Sequence, residues 1–147
     1  MDRLSAVLFT CNANAVRSAM AEALLRFLSG NQIYVESCGV WPADEVNPFA
    51  AAVMEEIGID LQAHVPKGFD ALMDSSFDLI VSLTPEAQHN AVELTRTSAT
   101  ELEYWPCPDP TLVTGSREQI LQAFRETRDF LRQKIQDLIE WQPPPSV

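Results

Sequence analysis

A cysteine, five residues, then an arginine and a serine (CNANAVRS, residues 11–18) place a nucleophile and an anion clamp on one short turn. A turn that leads into a helix points several backbone N–H groups at one spot, and the helix adds its positive N-terminal end. A thiolate at the start of such a turn is stabilised and available as a nucleophile. An arginine at the helix start offers a planar fork to two oxygens of a tetrahedral anion, whose central atom then faces the sulfur. Cys11 and Arg17 have this spacing, with the N–H groups of Asn12, Ala13, Asn14, Ala15, Val16 and Arg17 as the cradle. Ser18 either donates to the thiolate or caps the helix. The competing reading of Cys11 is a small buried hydrophobe at a strand end. Two residue types at fixed spacing are a weak signal alone; an apolar run before them and an amphipathic helix after them strengthen it.

The elements that must hold this turn follow from periodicity. Residues 4–10 form a continuous apolar run that reads as a buried strand. Ala19, Met20, Ala23, Leu24, Phe27 and Leu28 recur at helical spacing until Ser29-Gly30. Residues 33–37 alternate as a short strand, 77–83 form a second buried one, and 101–105 a further short one. Asn47-Pro48 and Thr84-Pro85 are helix starts, the first helix ending at Gly58. Ser116 and Gln119 fit a capping box ahead of Ile120, Phe124, Leu131, Ile135 and Leu138. Strands alternating with helices predict a three-layer α/β domain, a four-stranded parallel sheet with helices on both faces. Ligands bind such domains beyond the carboxyl ends of the strands, which is where Cys11 falls.

The bulk composition narrows the partners. The 147 residues suit one domain over 1–141, with Gln142 and three prolines opening an extended tail over 142–147. Three scattered cysteines, no C-x-x-C and two histidines predict reduced thiols, no disulfide framework and no metal site. A formal net charge of −11 argues against nucleic acid and anionic membranes. With no apolar run long enough to span a bilayer, the chain reads as cytoplasmic. Separately, a monomer or weak dimer and no cofactor are expected.

VLFTCNANAVRSAMAEALL (residues 7–25) resembles the opening of low-molecular-weight protein tyrosine phosphatases and the related arsenate reductases. Residues 35–64 are similar to that family's Ser-Ala-Gly strand end, variable loop and second helix. Residues 77–92 resemble its third strand and helix, and 105–131 its Asp-Pro loop and last helix. The resemblance implies that Cys11 attacks phosphorus to form a phosphocysteine, with Arg17 stabilising the transferred group. It also implies that Asp109, between Pro108 and Pro110, protonates the leaving group; taken alone, Pro-Asp-Pro would be a turn. Asn14 is then expected in the left-handed conformation, within a network completed by Ser18, Ser37 and His64. His89 receives no role. The expected substrate is a phosphorylated protein or a small aryl phosphate; the alternative is arsenate plus an external thiol donor.

Four departures qualify that expectation. Ala13 stands where the family has glycine, so a Cβ would crowd the cradle or forbid a positive φ. This motivates a reading of another class, a non-turnover protein that binds oxyanions or phosphoproteins. Val16 replaces a second cysteine, so Cys11 has no shielding partner there. Thr111-Leu112 replaces the aromatics of tyrosine-specific members, leaving Trp41 as a candidate apolar wall. Thioredoxin-linked arsenate reductases carry two extra cysteines after the third strand, and residues 82–90 have none. Cys38 and Cys107 either resolve the arsenic adduct or are unpaired structural thiols. Residues 124–129 (FRETRD) lean toward the reductases.

Overall fold

The computed structural model describes residues 4–73, 76–96 and 98–140. Four strands, β1 (Ala6–Cys11), β2 (Tyr34–Gly39), β3 (Leu79–Ser82) and β4 (Glu101–Tyr104), alternate with four helices. These are α1 (Arg17–Leu28), α2 (Pro48–Glu55), α3 (Pro85–Leu94) and α4 (Arg117–Glu140). Every strand pairing is parallel and the sheet order is β2-β1-β3-β4. The three-layer α/β architecture read from the sequence is therefore the observed one. The tail over 142–147 lies outside the described residues.

Strand alternation divides the core in two. Val7, Phe9 and Cys11 of β1 join Val35, Leu79 and Val81 in the larger cluster, with the buried faces of α1, α2 and α4. Leu8, Cys38 and Ile80 point to the other face and pack with Phe77 and Ala91 of α3. β2 does not show the surface alternation expected over 33–37, because Val35 through Gly39 are all buried. A parallel strand covered on both faces has no solvent side to mark. Phe27, placed on the apolar face of α1 by spacing, is instead 59% exposed.

The helix after β1 and the helix after β3 leave toward opposite faces, so the carboxyl ends of these neighbouring strands form a topological switch point. Three helix starts have side-chain caps. Asn47 Oδ1 accepts from Phe49 and Ala50 N–H, and Thr84 Oγ1 accepts from Ala87 N–H. Ser116 and Gln119 exchange bonds of 3.2 and 2.8 Å as a capping box. The fourth start, at α1, has no side-chain cap. Its free N–H groups sit at the switch point, directly behind Cys11.

Candidate active site

The turn between β1 and α1 has its carbonyls tied down one by one. Cys11 O accepts from Val40 N–H at 3.1 Å, Asn12 O from Trp41 at 2.7 Å, and Ala13 O from Ala43 at 3.0 Å. Ala15 O accepts from Asn47 N–H at 3.0 Å and Val16 O from Met20 N–H at 2.8 Å. Asn14 O lies 2.9 Å from His64 Nε2; a carbonyl only accepts, so that nitrogen carries the proton. In a trans peptide the C=O and the following N–H point in opposite directions. Holding the carbonyls outward therefore turns the N–H groups of 12–17 inward. Asn14 N–H reaches Cys11 Sγ at 3.3 Å. The N–H groups of Ala13, Ala15 and Val16 meet no acceptor among the described residues.

Asn14 is the residue that bends this turn, at φ +54°. Asparagine tolerates the left-handed region, and here its side chain makes the conformation part of a network. Nδ2 donates to Ser18 Oγ at 2.7 Å and Ser37 Oγ at 2.9 Å, while Oδ1 accepts from Lys67 N–H at 3.0 Å. Ser18 Oγ lies 2.9 Å from Cys11 Sγ. A thiolate has no proton to give, so with Cys11 ionised the hydroxyl donates. Ser18 faces the sulfur and does not cap α1. Ser37 passes the chain on to Glu22 Oε1 at 2.5 Å.

The segment bearing His64 and Lys67 is itself anchored. Lys67 Nζ pairs with the buried Glu36 carboxylate, which also accepts from Met73 N–H at 3.1 Å. Burial alone would raise the Glu36 carboxyl, but these bonds and one from Tyr34 hold it below the usual range. Ala13 does not have a positive φ, since that strain falls on Asn14. The conformational reason for a defective cradle at Ala13 is thereby removed. The glycine the cradle does require is Gly39, where a Cβ would stand 2.6 Å from Asn12 O and 2.8 Å from Asn14 N.

Arg17 enters from the first turn of α1 with its side chain only 11% exposed. One arm, Nη1, donates to Cys107 O at 2.8 Å, and Nη2 stands 3.7 Å from Asp109 Oδ2. Oδ1 of Asp109 accepts from Thr111 N–H at 2.9 Å and Thr111 Oγ1 at 2.6 Å, so Thr111 aims the carboxylate. Cys11, Arg17 and Asp109 share a cleft of about 370 Å³, with Ala43, Glu45 and Pro48 on its other wall. Among the described residues, none that lines this cleft is aromatic. Trp41 contributes only its backbone N–H, and its side chain is 65% exposed, so the expected apolar wall is not there. Among the described residues no group of three His, Cys, Asp or Glu side chains gathers to hold a metal.

The remaining thiols divide by face. Cys38 pairs in register with Thr10, one residue before Cys11, and so points to the opposite side of the sheet. Burial pushes its thiol up to about 12. Cys107 lies with Cys11 in the larger cluster. Burial pushes it up to about 11, the Arg17 charge opposing this while Cys11 and Asp109 add to it.

Sequence reasoning did not assign site roles to Gly39, Thr84, Glu22 or Lys67. Thr84 reads as a helix cap, yet its hydroxyl also donates to Asn12 Oδ1 at 2.7 Å and ties the switch point together. Glu22 stands four residues after Ser18 and four before Arg26, a same-face spacing that is a signal only once Ser18 is placed. His89 enters none of these contacts.

Fold and site together define a doubly wound domain with Cys11, Arg17 and a ring of inward-turned N–H groups at its switch point. Residues 6–142 match the low molecular weight phosphotyrosine protein phosphatase family, and the chain belongs to that family. It is 30% identical to the glutaredoxin arsenate reductase of Synechocystis, over 90% of this chain and 95% of that one. The arsenate reductase of Halalkalibacterium halodurans is 32% identical, over 91% and 94%. An arsenate reductase solved in its phosphate-binding state superposes with a TM-score of 0.74 at 29% identity, covering 95% and 99%. A tyrosine phosphatase from Erwinia amylovora, at 19% identity, shares the fold with a TM-score of 0.80 over 96% and 95%.

Proposed function

We propose that this chain reduces arsenate at Cys11, with an external thiol as the final electron donor. The cleft carries the reading: a built oxyanion cradle in which no described residue places a ring to flank a phenyl group. The reductase relatives point the same way. Cys11 Sγ attacks arsenic, one As–O bond breaks, and the oxygen leaves as water after taking a proton. Arg17 and the inward N–H groups hold the remaining oxygens as charge redistributes. A second thiol then attacks Cys11 Sγ. The electron pair of the S–As bond passes to arsenic, releasing arsenite and leaving a disulfide.

Asp109 favours a second reading, hydrolysis of phosphomonoesters through a phosphocysteine. An ester oxygen needs a proton as it leaves, and the Asp109 carboxyl shares the cleft with Cys11 and Arg17. One preparation of wild type and Cys11→Ser tests both readings. Arsenate-dependent oxidation of glutathione or glutaredoxin, lost in Cys11→Ser, supports reduction. Aryl-phosphate turnover lost in Cys11→Ser, without arsenate turnover, supports the phosphatase. Neither activity in wild type would leave oxyanion binding without turnover and overturn both.

A further inference from the structure

The chain has three cysteines, and the fold distributes them unequally. Cys11 is the candidate nucleophile. Cys38 is on the far side of the sheet, separated from Cys11 by the β-strand backbone. Cys107 is on the near side, in the same packed cluster as Cys11 and 6% exposed. Its carbonyl receives the Arg17 Nη1 bond at 2.8 Å, so the residue is held against the clamp of the site. Its own N–H bonds Leu83 O at 3.2 Å, at the carboxyl end of β3 beside β1. It belongs to the connection from β4 to α4, so its approach to Cys11 requires movement of a loop and not of a strand.

We propose that Cys107 is the resolving thiol of this site, closing a disulfide onto Cys11. The arsenate step rests on the reductase reading above. Cys107 sulfur forms a bond to Cys11 sulfur, the S–As bond breaks with its electron pair going to arsenic, and the thiol proton passes to the departing arsenite. Arsenic is reduced by two electrons and the two thiols are oxidised. The external donor then reduces the disulfide. Peroxide supplies an independent route to the same bond. Hydrogen peroxide converts the Cys11 thiolate to a sulfenic acid, and Cys107 condenses with it, releasing water. As a buried, protonated thiol, Cys107 does not place a second anion beside the incoming oxyanion.

The test uses the full chain, reduced and freed of small thiols, then given either arsenate or one equivalent of hydrogen peroxide. After alkylation, peptide mapping by mass spectrometry identifies the paired cysteines. The expected result is a Cys11–Cys107 disulfide in both arms, with about one arsenite released per chain in the first. Cys107→Ser is expected to release at least tenfold less arsenite until glutathione is added, while Cys38→Ser follows wild type. A disulfide in the peroxide arm, with no arsenite under any donor, would remove the reductase reading and leave the pairing supported. Cys11 recovered unpaired, as sulfinic acid, or joined to Cys38 in both arms would overturn it. The wild-type map decides this even if Cys107→Ser does not fold.

Discussion

Two loops meet across the cleft, and they are held in different ways. The turn over residues 11–18 has all six carbonyls from Cys11 to Val16 bonded, and Asn14 and Ser18 are completely buried. The loop over 105–116 is anchored at Trp105 and Cys107 by bonds to Ser82, Leu83 and Arg17. From Asp109 onward, however, it is tied mainly by local bonds, such as those from Thr111 to Asp109, and leaves Leu112 77% exposed. A cradle that stabilises developing charge must be organised before the reaction, since donors that reorient during it lose much of their effect. A group that delivers a proton must instead approach and withdraw. Under the proposed function, the difference between Asn14 and Asp109 corresponds to this division of labour.

The strongest way to break the comparison is Cys11→Ser, which should remove turnover by a factor on the order of 10⁴ or more in a protein that still folds. Steady-state assays with circular dichroism check this. Next, Asp109→Asn should lower aryl-phosphate kcat by about 10²- to 10⁴-fold while melting within about 0.5 kcal/mol of wild type. A large stability loss there would mean that the second loop is as structural as the first. Gly39→Ala should do what Asp109→Asn does not. Its Cβ meets backbone at 2.6 and 2.8 Å, so the cradle must shift. Activity should fall by about 10²-fold, with a loss of about 1–3 kcal/mol in denaturant titration.

The effect that is smallest at neutral pH, and grows only in alkali, is a pH slope. Burial raises Cys107 from 9.0 to about 11 and Cys38 from 9.0 to about 12, so the native state keeps protons that the unfolded chain releases. Their contribution is fully present below pH 9 and is lost as pH rises toward the folded values. Between pH 9 and 11 each thiol should cost about 1.4 kcal/mol per pH unit. Urea titrations of Cys38→Ala across that range should show the shallower slope.

Much of the fold was legible because it is written in short-range patterns. Asn47, Thr84 and the Ser116–Gln119 box mark helix starts through bonds that span three residues or fewer. The reach of Ser18 toward Cys11 was open at that level, because a serine at a helix start satisfies either role. Only the absence of a cap at Val16 and the 2.9 Å approach to sulfur separate them. Trp41 shows the reverse failure. Its place in the variable loop suggested a wall, but the backbone bond to Asn12 O leaves the ring in solvent.

The sequence by itself determined the strand–turn–helix with Cys11 at its head and the doubly wound order. Each of these depends on neighbours a few positions apart. Tertiary structure decided the rest. It brought Gly39 and Lys67 against Asn14, tied Thr84 to Asn12, and turned Cys38 away from the site while placing Cys107 on its side. Those outcomes depend on strand register and on which face each side chain takes. They are set when distant segments pack together.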